Sequence, residues 1–149
     1  MNQDDTLLFD FEIITPEQVV LSSREDRITL PAVEGETQVR PRHTKMTILL
    51  ESGVVRIHKE REPEVVYYIN GGFVDITPAY CHLMTEVAEP LKEINIEHLA
   101  EKIGNLERRL EEMEAEATED QRSAELAPLY YKLEQFQMKY DLISAYLNQ

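Results

Sequence analysis

The hydrophobic period of the chain changes near its middle. In FDFEII, residues 9–14, Phe9, Phe11 and Ile13 share one side while Asp10 and Glu12 share the other. That alternation is the pattern of a half-buried strand. Further short apolar runs follow: VVL at 19–21, RITL at 27–30, MTILL at 46–50, VVRI at 54–57, VVYYI at 65–69, FVDI at 73–76 and HLMTEV at 82–87. Turn-forming residues separate most of them: Thr15-Pro16, Glu51-Ser52-Gly53, Glu62-Pro63, Asn70-Gly71-Gly72 and Thr77-Pro78-Ala79. Short strands with regular punctuation predict an antiparallel β-sandwich, or a barrel, over residues 1–89.

From residue 96 the period lengthens. Ile96, Leu99, Ile103, Leu106, Leu110, Met113 and Ala117 alternate spacings of three and four, and so do Leu126, Leu129, Leu133, Phe136, Tyr140, Ile143 and Leu147. Each set forms an apolar seam along one helix face. The polar TEDQRS, 118–123, is short enough for a reversal, with Thr118 and Gln121 placed for a capping box. An antiparallel two-helix hairpin is predicted over 90–149, with the boundary in AEPLKEI, 88–94. The expected fold class is therefore α+β. Pro128 interrupts the second helix, where an interior proline costs about 3 kcal/mol. The helix is expected to start near Glu125 or to have a loose first turn, the alternative being a start at Glu119 with a kink.

Charge and composition narrow the function. The 149 residues are 42% hydrophobic and 30% charged, as in folded soluble proteins. A net charge of −14 argues against nucleic acid as the main partner. Residues 1–85 hold 14 acids against 8 Lys/Arg, and residues 86–149 hold 15 against 7, so the hairpin is the more acidic part. No apolar run approaches the roughly 18 residues of a membrane span. The start MNQDDT carries no secretory or transit signal, and the single Cys81 fits a reducing, cytosolic setting.

Chemistry-bearing constellations are missing. His43, His58, His82 and His98 have no i,i+3 or i,i+4 partner, and Cys81 and His82 are expected on opposite strand faces, so no metal site is expected. No nucleophile elbow or phosphate-binding glycine loop occurs. Asn70-Gly71-Gly72 is expected to be a tight hairpin turn. Glu111, Glu112, Glu114 and Glu116 read as a solvated helix face, and Tyr130 as packing beside the seam. The residues alone describe a non-catalytic β domain with a helical hairpin. That design suits an adaptor, either free-standing, with seams that bind a partner helix, or part of a larger assembly. Seams of equal length favour pairing with each other.

The order of segments resembles the ε-subunit family of bacterial F-type ATP synthases. The resemblance is carried by FDFEIITPEQVVLSS at 9–23, RITLPAVEGETQVRPRHT at 27–44, SGVVRI at 52–57, INGGFVDITP at 69–78 and HLMTEVAE at 82–89, with LERRL at 106–110 and SAELA at 123–127 in the hairpin. It implies a non-catalytic rotor subunit at the foot of the central stalk. Its partners would be the γ subunit, the membrane c ring and, transiently, the α and β subunits. It would sit peripherally on the cytoplasmic face of the membrane, and its hairpin would be able to regulate ATP hydrolysis.

By the same resemblance, Glu34, Gly35, Glu36, Arg40, Arg42 and His43 belong to a loop that faces the c ring. Ala32, Gln38, Arg40 and Arg42 stand where the family has Gly, Gly, Leu and Gly, and Lys45 where it often has proline. Any positive φ kept at these positions would be strained. Family members that bind ATP carry an Asp-x-x-Arg element at the start of the first hairpin helix. Here the segment is INIEHLA, 94–100, with Asn95 and no arginine, so no cofactor and no tight ATP binding is expected. The acidity of the hairpin leads to an expectation of weak inhibition.

Overall fold

The structure, a computed structural model, describes residues 7–149 apart from the side chains of residues 122 and 123. It contains two compact units, the first ending at Ile94 and the second spanning Asn95–Gln149. The first consists of β1 (Phe9–Ile14), β2 (Val19–Glu25), β3 (Ile28–Ala32), β4 (Gly35–Val39), β5 (Met46–Ile57), β6 (Val65–Ile76), β7 (Tyr80–Met84) and β8 (Ala88–Pro90). They form one sheet in the order β2-β1-β7-β6-β5-β3-β4, with β8 also paired to β6. Every pairing is antiparallel except that of β1 with β7.

The main departure from the expected strands is in β5 and β6. Each is a single strand of 12 residues, not two short strands joined by a turn. The two expected turns face each other across the ladder, with Leu50 opposite Gly72 and Ser52 opposite Asn70. They are the bend at which the sheet folds over on itself. Before the bend β6 pairs with β8 through Tyr67–Ile69, and after it with β7 through Phe73–Ile76. Gly71 and Gly72 take φ of 95° and 129°. A Cβ at Gly72 would lie 2.1 Å from the Met84 carbonyl oxygen. This glycine pair therefore permits a backbone crossing and does not close a hairpin. Buried Thr85 locks the crossing: its hydroxyl donates to the Gly71 carbonyl at 2.6 Å, and its amide donates to the Ile14 carbonyl at 3.0 Å. The Asn70 side-chain carbonyl accepts from the Val87 amide at 3.1 Å.

The folded sheet encloses a core built on Phe9, Phe11, Ile13, Leu30, Val55, Ile57, Ile69, Val74, Ile76 and Leu83. Cys81 belongs to that core, and burial pushes its thiol up to about 12. Glu25 is buried at the end of β2, with both carboxylate oxygens held by Lys59 Nζ at 2.7 and 2.9 Å. A buried charge needs such a partner.

The second unit is the helical hairpin: α1 (Ile96–Glu116), α2 (Glu119–Gln121), a π turn (Arg122–Leu126) and α3 (Ala127–Leu147). Asn95 caps α1, its side-chain oxygen accepting from the His98 amide at 3.0 Å. Of the seam residues, Leu99, Leu110, Leu126 and Ile143 are buried, and nearly all the others half-buried. The helices are also joined by Tyr130 Oη donating to Glu114 at 2.6 Å and Gln137 donating to Glu107 at 3.3 Å. Gln121 accepts from the Thr118 amide at 3.2 Å, one half of the expected capping box. Helical backbone begins at Glu119, earlier than a start near Glu125, and the looseness is the π turn before Pro128. Pro128 lies in the first turn of α3, directly after the π turn. The wider turn before it relieves the clash its ring would make inside a regular helix.

Replacing Gly72 by alanine forces a methyl group into a backbone oxygen at a φ that side chains avoid. Gly72→Ala is expected to lower stability by at least about 3 kcal/mol, read as a shift of the urea midpoint without a change in far-UV circular dichroism at low denaturant.

Candidate functional site

The sequence-predicted site residues do not form one loop. Glu34 lies in the tight turn between β3 and β4, and Gly35 and Glu36 open β4, with Gly35 at φ 128°. Arg40, Arg42 and His43 follow the far end of β4. Four residue steps of extended strand, at about 3.4 Å each, put roughly 14 Å between the groups. Most of the expected loop is therefore a β-hairpin whose two ends carry the predicted residues separately. At the first end Glu36 reaches Arg56 at 3.4 Å. Arg56 also reaches Glu64 at 3.6 Å, and Glu64 lies 3.4 Å from His58. At the second end Arg40 Nε donates to Gln38 at 2.9 Å. The His43 ring meets Phe9 edge-on, with centroids 5.6 Å apart, and its Nδ1 pairs with the Arg40 carbonyl. Of the three positions at which the resemblance expects glycine, Ala32, Gln38 and Arg42, only Arg42 has positive φ, at 62°. Ala32 and Gln38 sit in ordinary extended strand.

A second surface was not anticipated. On the outer face of the sheet the register aligns side chains from five strands into rows. Val19, Ile14, Met84, Phe73 and Leu49 are successive cross-strand partners on β2, β1, β7, β6 and β5. All five are apolar; Val19 and Leu49 are more than half exposed and Phe73 is 40% exposed. Phe73, Met84 and Ile14 line an open, almost wholly apolar depression of about 400 Å³ together with Thr15, Pro16 and Gly72. Next to this row runs a polar one of Ser22, Glu12, His82, Asp75 and Thr47. Within it Thr47 donates to Asp75 at 2.8 Å, and His82 lies 3.9 Å from Glu12 and stacks on Tyr80. The signal was present in the sequence as apolar doublets: Ile13-Ile14, Leu49-Leu50, Phe73-Val74 and Leu83-Met84. A half-buried strand needs only one member of each pair inside. Among the described residues no group of His, Cys, Asp and Glu converges as a metal site would require.

Residues 8–91 match the sequence profile of the β-sandwich domain of the ATP synthase delta/epsilon chain. The chain belongs to this family. The epsilon chain of Rhizobium rhizogenes is 34% identical over 106 residues, covering 71% of this chain and 78% of that one. That of Chelativorans is 39% identical over 111 residues, covering 72% and 75%. A solved structure of the Euglena gracilis mitochondrial ATP synthase contains a chain of the same fold. It superposes with a TM-score of 0.71 at 20% identity, over 95% of this chain and 82% of that one. Family membership makes the protein a delta/epsilon-type subunit of ATP synthase.

Asn95, at the start of the hairpin, is engaged as a helix cap. Two histidines sit against the sandwich in ways that oppose protonation. Burial lowers His43 below its ordinary 6.5, partly offset by its bond to the Arg40 carbonyl. Burial also lowers His58, helped by Arg27 and Arg56 and opposed by Glu64 and Asp26. His58 Nε2 lies 2.6 Å from the Thr29 hydroxyl. A depressed histidine stabilises the fold above the unfolded value and loses that contribution as pH falls through the folded one. The urea midpoint is therefore expected to fall as pH is lowered below 6.5, and the drop is expected to shrink in a His43→Gln, His58→Gln double variant.

Proposed function

We propose that the sandwich docks on the γ subunit through the Val19–Ile14–Met84–Phe73–Leu49 row, and on the c ring through the two ends of β4. The protein would then be a non-catalytic element of the rotor, helping to carry torque between the membrane ring and the α/β sites. It would sit peripherally at the cytoplasmic face of the membrane. The observation that carries this reading is the apolar row. Five adjacent large apolar side chains on one outer face form a patch that a subunit interface would cover. Each side chain fully buried there contributes about 1.5–3 kcal/mol. The family relation supports γ and the ring as the covering partners. Phe73→Asp places a charge at the centre of the row, on a side chain already 40% exposed. Co-purification of γ with the tagged protein is expected to fall at least about ten-fold while the melting temperature holds. Undiminished recovery of γ would remove the row from the interface.

The hairpin is proposed to contribute little inhibition and no tight ATP site. Its carboxylates outnumber its cations by 15 to 7 over residues 86–149, and like charges resist docking on acidic partners. Asn95 stands in for the aspartate of the ATP-binding versions. Truncation after Ile94 leaves the first unit whole, since β8 ends at Pro90. In the assembled synthase this truncation is expected to change the rate of ATP hydrolysis by less than about two-fold, in contrast to the large rise an inhibitory hairpin would give.

A further inference from the structure

The connection between β4 and β5, RPRHTK at 40–45, concentrates three of the eight Lys/Arg of residues 1–85 into six positions of an acidic unit. Three of the cations elsewhere in the unit have carboxylate partners. Arg24 lies 3.5 Å from Asp10, Arg56 lies 3.4 Å from Glu36, and Lys59 is held by Glu25. Arg40, Arg42 and Lys45 are exposed, and among the described residues none has a carboxylate within ion-pair distance. The segment is also anchored. His43 rests on Phe9 and bonds back to the Arg40 carbonyl, and Pro41 restricts the turn. Arg42 at its tip holds φ 62°, a conformation that favours glycine. A long cation kept there against backbone preference marks a position that serves something other than stability. Met46, 44% exposed, follows Lys45 directly, so the cations border an apolar side chain as in interfacial segments.

We propose that this segment is a contact for anionic phospholipid headgroups. The guanidinium forks of Arg40 and Arg42 match phosphate geometry. A fluid layer of headgroups can adapt to cations spread over six residues without a shaped pocket. The net charge of −14 is repelled by the same layer, so contact is confined to this end and is sensitive to salt. The inference is independent of the apolar row.

The test is co-sedimentation of the full chain with vesicles of phosphatidylcholine alone or mixed with phosphatidylglycerol, at low and high salt. Binding is expected only to the mixed vesicles at low salt. It should weaken about five-fold for each cation removed in Arg40→Gln, Arg42→Gln and Lys45→Gln, and weaken less when both arginines become lysine, which keep the charge but lose the fork. Thermal melting checks folding. If the combined variant unfolds, Lys45→Gln alone carries the test, because that side chain lies outside the strands. Absence of binding at low salt, or equal binding by a folded glutamine variant, overturns the proposal. Full competition by soluble glycerol phosphate also overturns it, in favour of a discrete phosphate site. So does loss of solubilised c ring by the glutamine variant without any vesicle binding, which points to protein carboxylates.

Discussion

The sandwich depends on a steric constraint at one residue. Gly72 passes so close to the Met84 carbonyl that no side chain fits between them. At that crossing β6 leaves β8 and takes up β7, and β5 bends with it because Leu50 and Ser52 are paired to the same stretch. A single sheet thereby supplies both layers of its own core. Thr85 and Asn70 satisfy the polar groups that the bend would otherwise orphan, as buried backbone requires. Without the bend Phe11 and Val55 would share no interior, and the outer face would not bring five strands into one register.

That register divides the surface by chemistry. One cross-strand row is apolar and its neighbour is acidic and hydroxylated. Arg24, Arg56 and Lys59 of the first unit are matched to carboxylates, whereas the three cations clustered in the 40–45 segment are not, among the described residues. The hairpin spends its apolar seams on itself, and its two interhelical hydrogen bonds join exposed side chains. Its exposed surface carries most of the hairpin's charge.

Local periodicity made much of this legible. The alternation of Phe9, Phe11 and Ile13 and the two helical seams appear in the structure on the faces expected of them, because each pattern reports which side of an isolated element is apolar. Glu34, Glu36, Arg40 and Arg42 were recognisable as surface residues. Their separation into two ends was not, since β4 is short, polar and Thr/Gln-bearing, and becomes a strand only by pairing with β3. Asn70-Gly71-Gly72 looked like a turn because positive φ is common to turns and to bends. Which of the two occurs depends on whether a partner strand runs alongside, and no local signal encodes that. The apolar doublets showed that both faces of four strands carry hydrophobic residues, but they did not show that the outward members line up.

The sequence by itself determined the two-part organisation, the inward faces, the helix seams and the concentration of charge. These follow from the period of side chains along one element. The tertiary structure alone decided the folding of one sheet into a sandwich, the parallel β1–β7 pair, the alignment of Val19, Ile14, Met84, Phe73 and Leu49, and the isolation of the 40–45 cations from every described carboxylate. These are relations between residues far apart in the chain, set by backbone register and by the one crossing that only glycine allows.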